Sequence, residues 1–257
     1  MRGIDTPSFD RRLDQLGGMS DLLWFVALNI GLGFTLIAAY FFPFSPDGKF
    51  WAYAGLFIRA CCYLWSGEGL RGKGGEVLDR LFRIGIVAGI FELLVDWGLI
   101  HWVDHGKLVY LTGNDVVLLG SPVWMPLAWA CVIVELGYPA VRLFSILRGK
   151  MSRGMAAISA SLATSLLAGV TVGFYEYFAY RASWWKYDHA HAMLGDFCAL
   201  YIPLGEFFMF LPVLLIAAPA LQSEELSLSR NIVAGVKFAL SIAAGYALAY
   251  LLLEWGR

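Results

Sequence analysis

The chain has 257 residues and a formal net charge of −1, and it is 59% hydrophobic, 16% aromatic and only 15% charged. An ordinary soluble domain is roughly 45–50% apolar, and here apolar runs of spanning length consume nearly the whole chain, which leaves no room for a separate soluble module. The net charge argues neither for nor against nucleic acid, and with no basic patch carrying interleaved aromatics no nucleic-acid partner is expected.

Residues 1–20 are polar and read as a cytoplasmic amino-terminal segment ahead of one membrane domain over 21–257. An apolar run from Leu22 to Phe42 comes next, with Ser20-Asp21 as its helix cap. A secretory signal is the rival reading, weakened because the run has full spanning length and ends at Pro43 without a small-residue cleavage pattern. Further runs at 50–66, 84–104, 123–146, 155–180, 199–220 and 231–254 predict an all-α polytopic membrane protein of about seven transmembrane helices. The second run is the shortest and carries Arg59 near its middle. Most lysines and arginines fall on the side of the amino terminus, whereas Lys49, Lys107, Arg181, Lys186 and Arg257 fall opposite. The positive-inside rule then puts the amino terminus in the cytoplasm and the carboxyl terminus outside, with loops 101–122 and 181–203 on the outer face. The four cysteines lie in or beside apolar segments and read as small buried hydrophobes.

Two blocks share a layout. In the first, a helix with Glu92 and Asp96 leads through His101-Trp-Val-Asp-His105 and Tyr110 to Leu118-Leu-Gly-Ser-Pro122 and re-enters at Trp124-Met-Pro-Leu-Ala-Trp129. In the second, a helix with Glu176 leads through Trp184-Trp-Lys-Tyr187 and Leu194-Gly195 and re-enters at Ile202-Pro-Leu-Gly-Glu206. An internal repeat of helices 3–4 and 5–6 is the expectation, and membrane proteins built from repeats place the working site between them. Pro126 and Pro203 fall in first helical turns, where a missing amide donor costs little.

Carboxylates inside a bilayer are expensive and mark function. Glu176 and Glu206 face each other across one bend, Glu92 and Asp96 are four apart and share a helical face, and Glu135 lies mid-helix with Arg59 as the base nearest mid-depth. The plain structural alternative pairs Arg59 with Glu92 or Glu135 and leaves the other acids bonded to Tyr or Trp. A buried unpaired carboxyl keeps its proton and is therefore a proton donor. His101, His105, His189 and His191 all fall on the outer side and offer a candidate metal site, although interfacial histidines also bond water and headgroups. Lys237 near the start of the last helix reads as a snorkelling residue.

The second block resembles the small integral-membrane lycopene cyclases of carotenoid synthesis. The residues that carry the likeness are Tyr175-Glu-Tyr177, Trp185-Lys-Tyr-Asp188, Leu194-Gly195 and Ile202-Pro-Leu-Gly-Glu-Phe-Phe208, about forty residues in all. The resemblance implies metal-free chemistry: an acid protonates a double bond, a carbocation closes a ring, and a base removes a proton. Gly205 stands where that family has the first of two adjacent glutamates. The likeness thus leads us to expect an isoprenoid cyclase or isomerase with no cofactor, whose partners are a hydrophobic isoprenoid and membrane lipids. Glu206 and Glu176 are its acid and base, with Glu92 or Asp96 as helper. Trp185, Tyr187, Tyr177, Tyr201, Phe207, Trp124 and Trp129 are the candidate substrate-binding walls, able to stabilise a cation by aromatic faces. The alternatives are a proton-coupled transporter or lipid-binding membrane protein, and a metal-dependent outer-face enzyme on the four histidines.

Overall fold

The computed structural model describes residues 19–41, 49–111, 115–222 and 227–255. The amino-terminal segment up to residue 18, Pro43 and Arg257 therefore lie outside the described residues. Helices dominate: α1 (Ser20–Phe41), α2 (Lys49–Gly69), α3 (Gly75–His101), α4 (Met125–Leu147), α5 (Arg153–Arg181), α6 (Tyr201–Phe210), α7 (Val213–Leu221) and α8 (Leu228–Leu253). Five of them, α1, α3, α4, α5 and α8, are long and apolar enough to cross a membrane, and α6 with α7 makes a sixth if the bent pair is one span. Their outward faces carry large apolar side chains such as Phe34, Val170 and Leu240, which suits lipid as the surrounding solvent. α2 is 21 residues long but includes Lys49, Arg59 and Glu68, and is less apolar than these spans.

Small residues set the helix contacts, since lipid offers no hydrophobic drive between helices and close approach supplies the attraction. α3 is the central helix, packed on α2, α4 and α8, while α6 lies between α5 and α8. A Cβ at Gly85 would lie 2.6 Å from Ala130 Cα and one at Gly89 2.5 Å from Pro126 O, so α3 and α4 touch backbone to backbone. α3 starts at Gly75, nine residues before its apolar run, because its first turns bury Asp79 and Arg80 against neighbouring helices.

Three details differ from the sequence expectation. Asp21, expected only to cap α1, is fully buried in its first turn and accepts hydrogen bonds from Tyr138 Oη (2.6 Å) and Arg142 Nη1 (3.0 Å), which ties the start of α1 to the end of α4. The run at 199–220 is two helices bent by 44° at Leu211-Pro212, because proline supplies no amide donor and clashes with the preceding turn. Ser241 of α8 donates to Met209 O (2.8 Å) at this break and satisfies a carbonyl the bend exposes. Third, the two long loops are not irregular. Each holds a four-residue strand followed by a hairpin of two two-residue strands: β1 (Lys107–Tyr110) with β2 (Val117–Leu118) and β3 (Ser121–Pro122), and β4 (Trp185–Asp188) with β5 (Met193–Leu194) and β6 (Cys198–Ala199). β1 and β4 pair antiparallel across the two loops, with Leu108 opposite Tyr187 and Tyr110 opposite Trp185.

Candidate functional site

Beneath the β1–β4 ribbon lies a cavity that leaves about 150 Å³ for the centres of water-sized spheres. One water needs roughly 10–15 Å³ on that measure, so the space suits an organic molecule. The wall comes from α1 to α6, from α8 and from the loops that carry β1 and β4. Apolar side chains and aromatic rings make most of it, and Asp96, Glu135, Glu176, Glu206 and Arg59 are its charged residues.

Three of these acids share a depth. Asp96 is five positions before the end of α3, Glu176 five before the end of α5, and Glu206 five after the start of α6. At 1.5 Å per residue that is about 7–8 Å below the cap from three helices. Each is more than nine-tenths buried and each accepts from its own donor. Tyr110 Oη (2.5 Å) and Ser121 Oγ (2.9 Å) donate to Asp96 Oδ2, Trp185 Nε1 to Glu176 Oε2 (2.7 Å), and Tyr246 Oη to Glu206 Oε1 (3.2 Å). The second oxygen of Glu206 has no hydrogen-bond partner. Burial, with Asp96 close by, pushes the Tyr110 phenol well above its ordinary range, and burial beside Glu176 does the same to Tyr187, so both cap phenols remain O–H donors.

Glu92 lies one turn deeper on α3, fully buried, with no hydrogen bond at either oxygen, and does not line the cavity. It is near enough to Asp96 and Glu206 for their charges to interact, as Glu176 is to Asp96 and Glu206. Glu135 is spoken for: it forms an ion pair with Arg59 and accepts from Tyr175 Oη (2.6 Å).

The expected aromatic wall divides. Trp124, Trp129, Trp185 and Tyr187 line the cavity. Tyr201 stands behind Tyr187, its ring edge-on at 6.2 Å and its hydroxyl bonded to Gly106 O at 2.7 Å, so it supports the wall without forming it. Tyr177 and Phe207 do not reach the cavity. Each follows an acid by one residue, and a helical step of about 100° turns its side chain elsewhere. Tyr177 is exposed and meets Phe178 and Phe197 edge-to-face, and Phe207 packs beside Gly169 of α5. Reasoning from sequence missed Tyr246 as a site residue, and passed over Tyr110 and Ser121 as donors. Tyr110 holds the place in the first block that the Trp-Trp-Lys-Tyr segment holds in the second, a signal that could have found it. Tyr246 has no such counterpart.

The place of Gly205 has a physical answer. A Cβ there would sit 2.3 Å from Tyr246 Cδ1, so the ring that orients Glu206 occupies the space a second glutamate would need.

The four histidines do not converge. His101 Nδ1 lies 2.8 Å from Trp97 O on its own helix, His105 stacks on His191 at 4.1 Å, and His191 Nδ1 pairs with Glu254 Oε2 at 3.1 Å. His189 is exposed on a left-handed backbone position (φ 55°). Among the described residues no three His, Cys, Asp or Glu side chains stand in a metal-holding arrangement. Lys237 is exposed on α8, away from the cavity.

A family model described as Domain of unknown function (DUF6989) matches residues 93–253, over half of the chain. That span takes in Asp96, Glu135, Glu176, Glu206 and Tyr246, and leaves out Arg59 and Glu92. No curated protein and no solved structure matches the chain.

Proposed function

The chain belongs to the DUF6989 family, and from the geometry of its cavity we propose an integral-membrane enzyme that cyclises or isomerises an unsaturated isoprenoid by protonation. One observation carries the reading: buried carboxyl groups from three helices, each held by a separate donor, line one aromatic-walled cavity at a common depth. The resemblance of residues 175–208 to the small membrane lycopene cyclases is the sequence feature that suggests it.

In this scheme Glu206 gives the proton, because its unpartnered Oε2 has no competing acceptor. The O–H bond breaks as the π pair of a substrate double bond forms the new C–H bond. The carbocation left on the neighbouring carbon is closed by the π pair of a second double bond, or shifts along the chain. Glu176, oriented by Trp185, then removes a proton from the adjacent carbon, and the C–H pair becomes the new double bond. The product is an isomer of the substrate, and proton exchange between the two acids resets the site. Asp96, backed by Glu92, sets the charge of the chamber, and Trp124, Trp129 and Trp185 face the cation with about 0.5–2 kcal/mol of attraction each. The test gives membranes carrying the protein a panel of polyenes and epoxy-isoprenoids and looks for isomeric products that vanish in Glu206→Gln and Glu176→Gln. Unchanged substrate across the panel with intact protein overturns the reading.

The same proposal makes α2 a span and α6–α7 one broken span, for seven crossings with the amino terminus cytoplasmic. It treats α3–β1–β2–β3–α4 and α5–β4–β5–β6–α6 as duplicated units, supported by the identical element order and by the β1–β4 pairing between them. Cysteine labelling from each side of sealed vesicles checks the topology.

A proton-coupled carrier or lipid-binding protein is the second reading, favoured by the break at Leu211-Pro212, since interrupted helices recur at carrier sites. Uptake into proteoliposomes that follows a pH gradient, with the substrate recovered unchanged, would select it.

A further inference from the structure

Arg59 is the feature of the cavity that hydrocarbon chemistry does not use. Among the described residues it is the one basic residue in the wall, and it is 7% exposed. Glu135 engages its Nη1, and its other guanidinium nitrogens are not among the buried polar atoms left without a partner. Arg59 lines the cavity, and among the described residues its Nε and Nη2 make no hydrogen bond. Arg59 is ten positions from the start of α2 and Glu135 ten from the start of α4, which puts the pair about 7–8 Å deeper than Asp96, Glu176 and Glu206. The cavity therefore has carboxyl groups near the cap and a fork of charged N–H donors at its deep end.

The sign of the surroundings selects the ligand. Glu135 already balances the guanidinium, and Glu176 is ionised as the base of the scheme, so a phosphate or diphosphate would enter beside a carboxylate with no free positive charge to meet it. A neutral oxygen acceptor meets no such opposition and takes a charge-assisted hydrogen bond from the free side of the fork. We propose that Arg59 is a polar subsite that holds a hydroxyl, carbonyl or ether oxygen at one end of an otherwise apolar isoprenoid, and so sets which double bond lies at the acids. The subsite deepens the proposed cyclase reading and rests on it for the isoprenoid class, but its readout is binding, not turnover.

The experiment measures equilibrium binding of radiolabelled farnesene, farnesol and farnesyl diphosphate to the purified full chain in detergent. The farnesol-to-farnesene affinity ratio is then compared between the wild type and Arg59→Met with Glu135→Met. Comparing ratios cancels partition of each compound into the micelle. A hydrogen bond to a charged donor predicts that the ratio falls about tenfold in the double variant, with the diphosphate never the tightest ligand. Arg59→Lys keeps the charge beside Glu135 but withdraws the fork, and is expected to lose the same preference should the double variant not fold. An unchanged ratio in the folded variants, a diphosphate preference that disappears with Arg59, or no saturable binding of farnesol overturns the proposal. Binding that follows the prediction without any product ends the cyclase reading alone, and turnover of farnesene with an unchanged ratio ends the Arg59 subsite alone.

Discussion

Replacing Gly205 by alanine tests the link between helix packing and the orientation of Glu206. The added Cβ would lie 2.3 Å from Cδ1 and 2.8 Å from Cε1 of Tyr246, and 3.3 Å from its Cα. Carbon atoms in contact sit about 3.5–4.0 Å apart, so the ring must retreat by roughly 1 Å. α8 and α6 are in close backbone contact here, where a Cβ at Gly245 would be 2.7 Å from Gly205 O and 3.0 Å from Met209 N, so there is no slack between the helices to take up the added carbon. Overpacking of this kind destabilises by about 1–3 kcal/mol. The retreat also carries the Tyr246 hydroxyl, now 3.2 Å from Glu206 Oε1, beyond hydrogen-bond reach. Reversible unfolding in mixed SDS micelles reads the stability, and product formation from a responsive isoprenoid reads the site. Tyr246→Ala empties the space, so the two substitutions together should be coupled by at least about 1 kcal/mol. A Gly205→Ala protein within about 0.5 kcal/mol of wild type, or two additive penalties, would refute the reasoning.

Arg59→Met alone leaves Glu135 buried without its partner and should destabilise by about 3–5 kcal/mol, whereas Arg59→Met with Glu135→Met recovers most of it, as micelle unfolding would report. Trp185→Phe removes the donor to Glu176 and Tyr110→Phe a donor to Asp96. Each should lose about 1–3 kcal/mol of stability in the same assay and lower product yield, and a loss of yield without a change in fold would place the effect at the acid. Glu206→Gln and Glu176→Gln should lower the initial rate by about 10²–10⁴-fold while the protein stays monodisperse. Glu254→Ala strands the amides of His191 and Ala192 and should speed hydrogen exchange in the β4–β5 turn while leaving the helices protected, as exchange mass spectrometry would show.

Where the sequence was legible, the reason was periodicity and the cost of charge. Apolar runs locate the long helices because a bilayer admits little else, and Glu176 and Glu206 stand out because an acid in such a run has no casual explanation. Helix facing was less legible. Tyr177 and Phe207 neighbour the acids in the chain, yet one helical step turns them away, and composition around a residue carries no information about which side of the helix the cavity will take. The partner of Arg59 could only be narrowed to Glu92 or Glu135, since depth along a helix is readable but the choice of neighbouring helix is not. Tyr246 was hidden for a related reason: its role depends on the absence of a side chain at Gly205, about forty positions earlier on another helix.

The strands that periodicity did not announce explain how acids on separate helices come to share one depth. Asp96 belongs to α3 and Glu176 to α5, and these helices are not among each other's main packing partners. Their alignment is set from above. Tyr110 and Trp185 are direct cross-strand partners in the β1–β4 ribbon, their rings edge-on at 5.9 Å, and each reaches down to one acid. A shift of one residue in this ribbon would turn every side chain to the opposite face and withdraw both donors at once. The register is therefore a specification of the site as much as of the fold. Closely opposed side chains hold it, with the Leu111 amide bonded to Trp184 O at 2.9 Å as a further rung. Disturbing the ribbon should thus affect both acids together, whereas a change at Tyr246 acts on Glu206 alone.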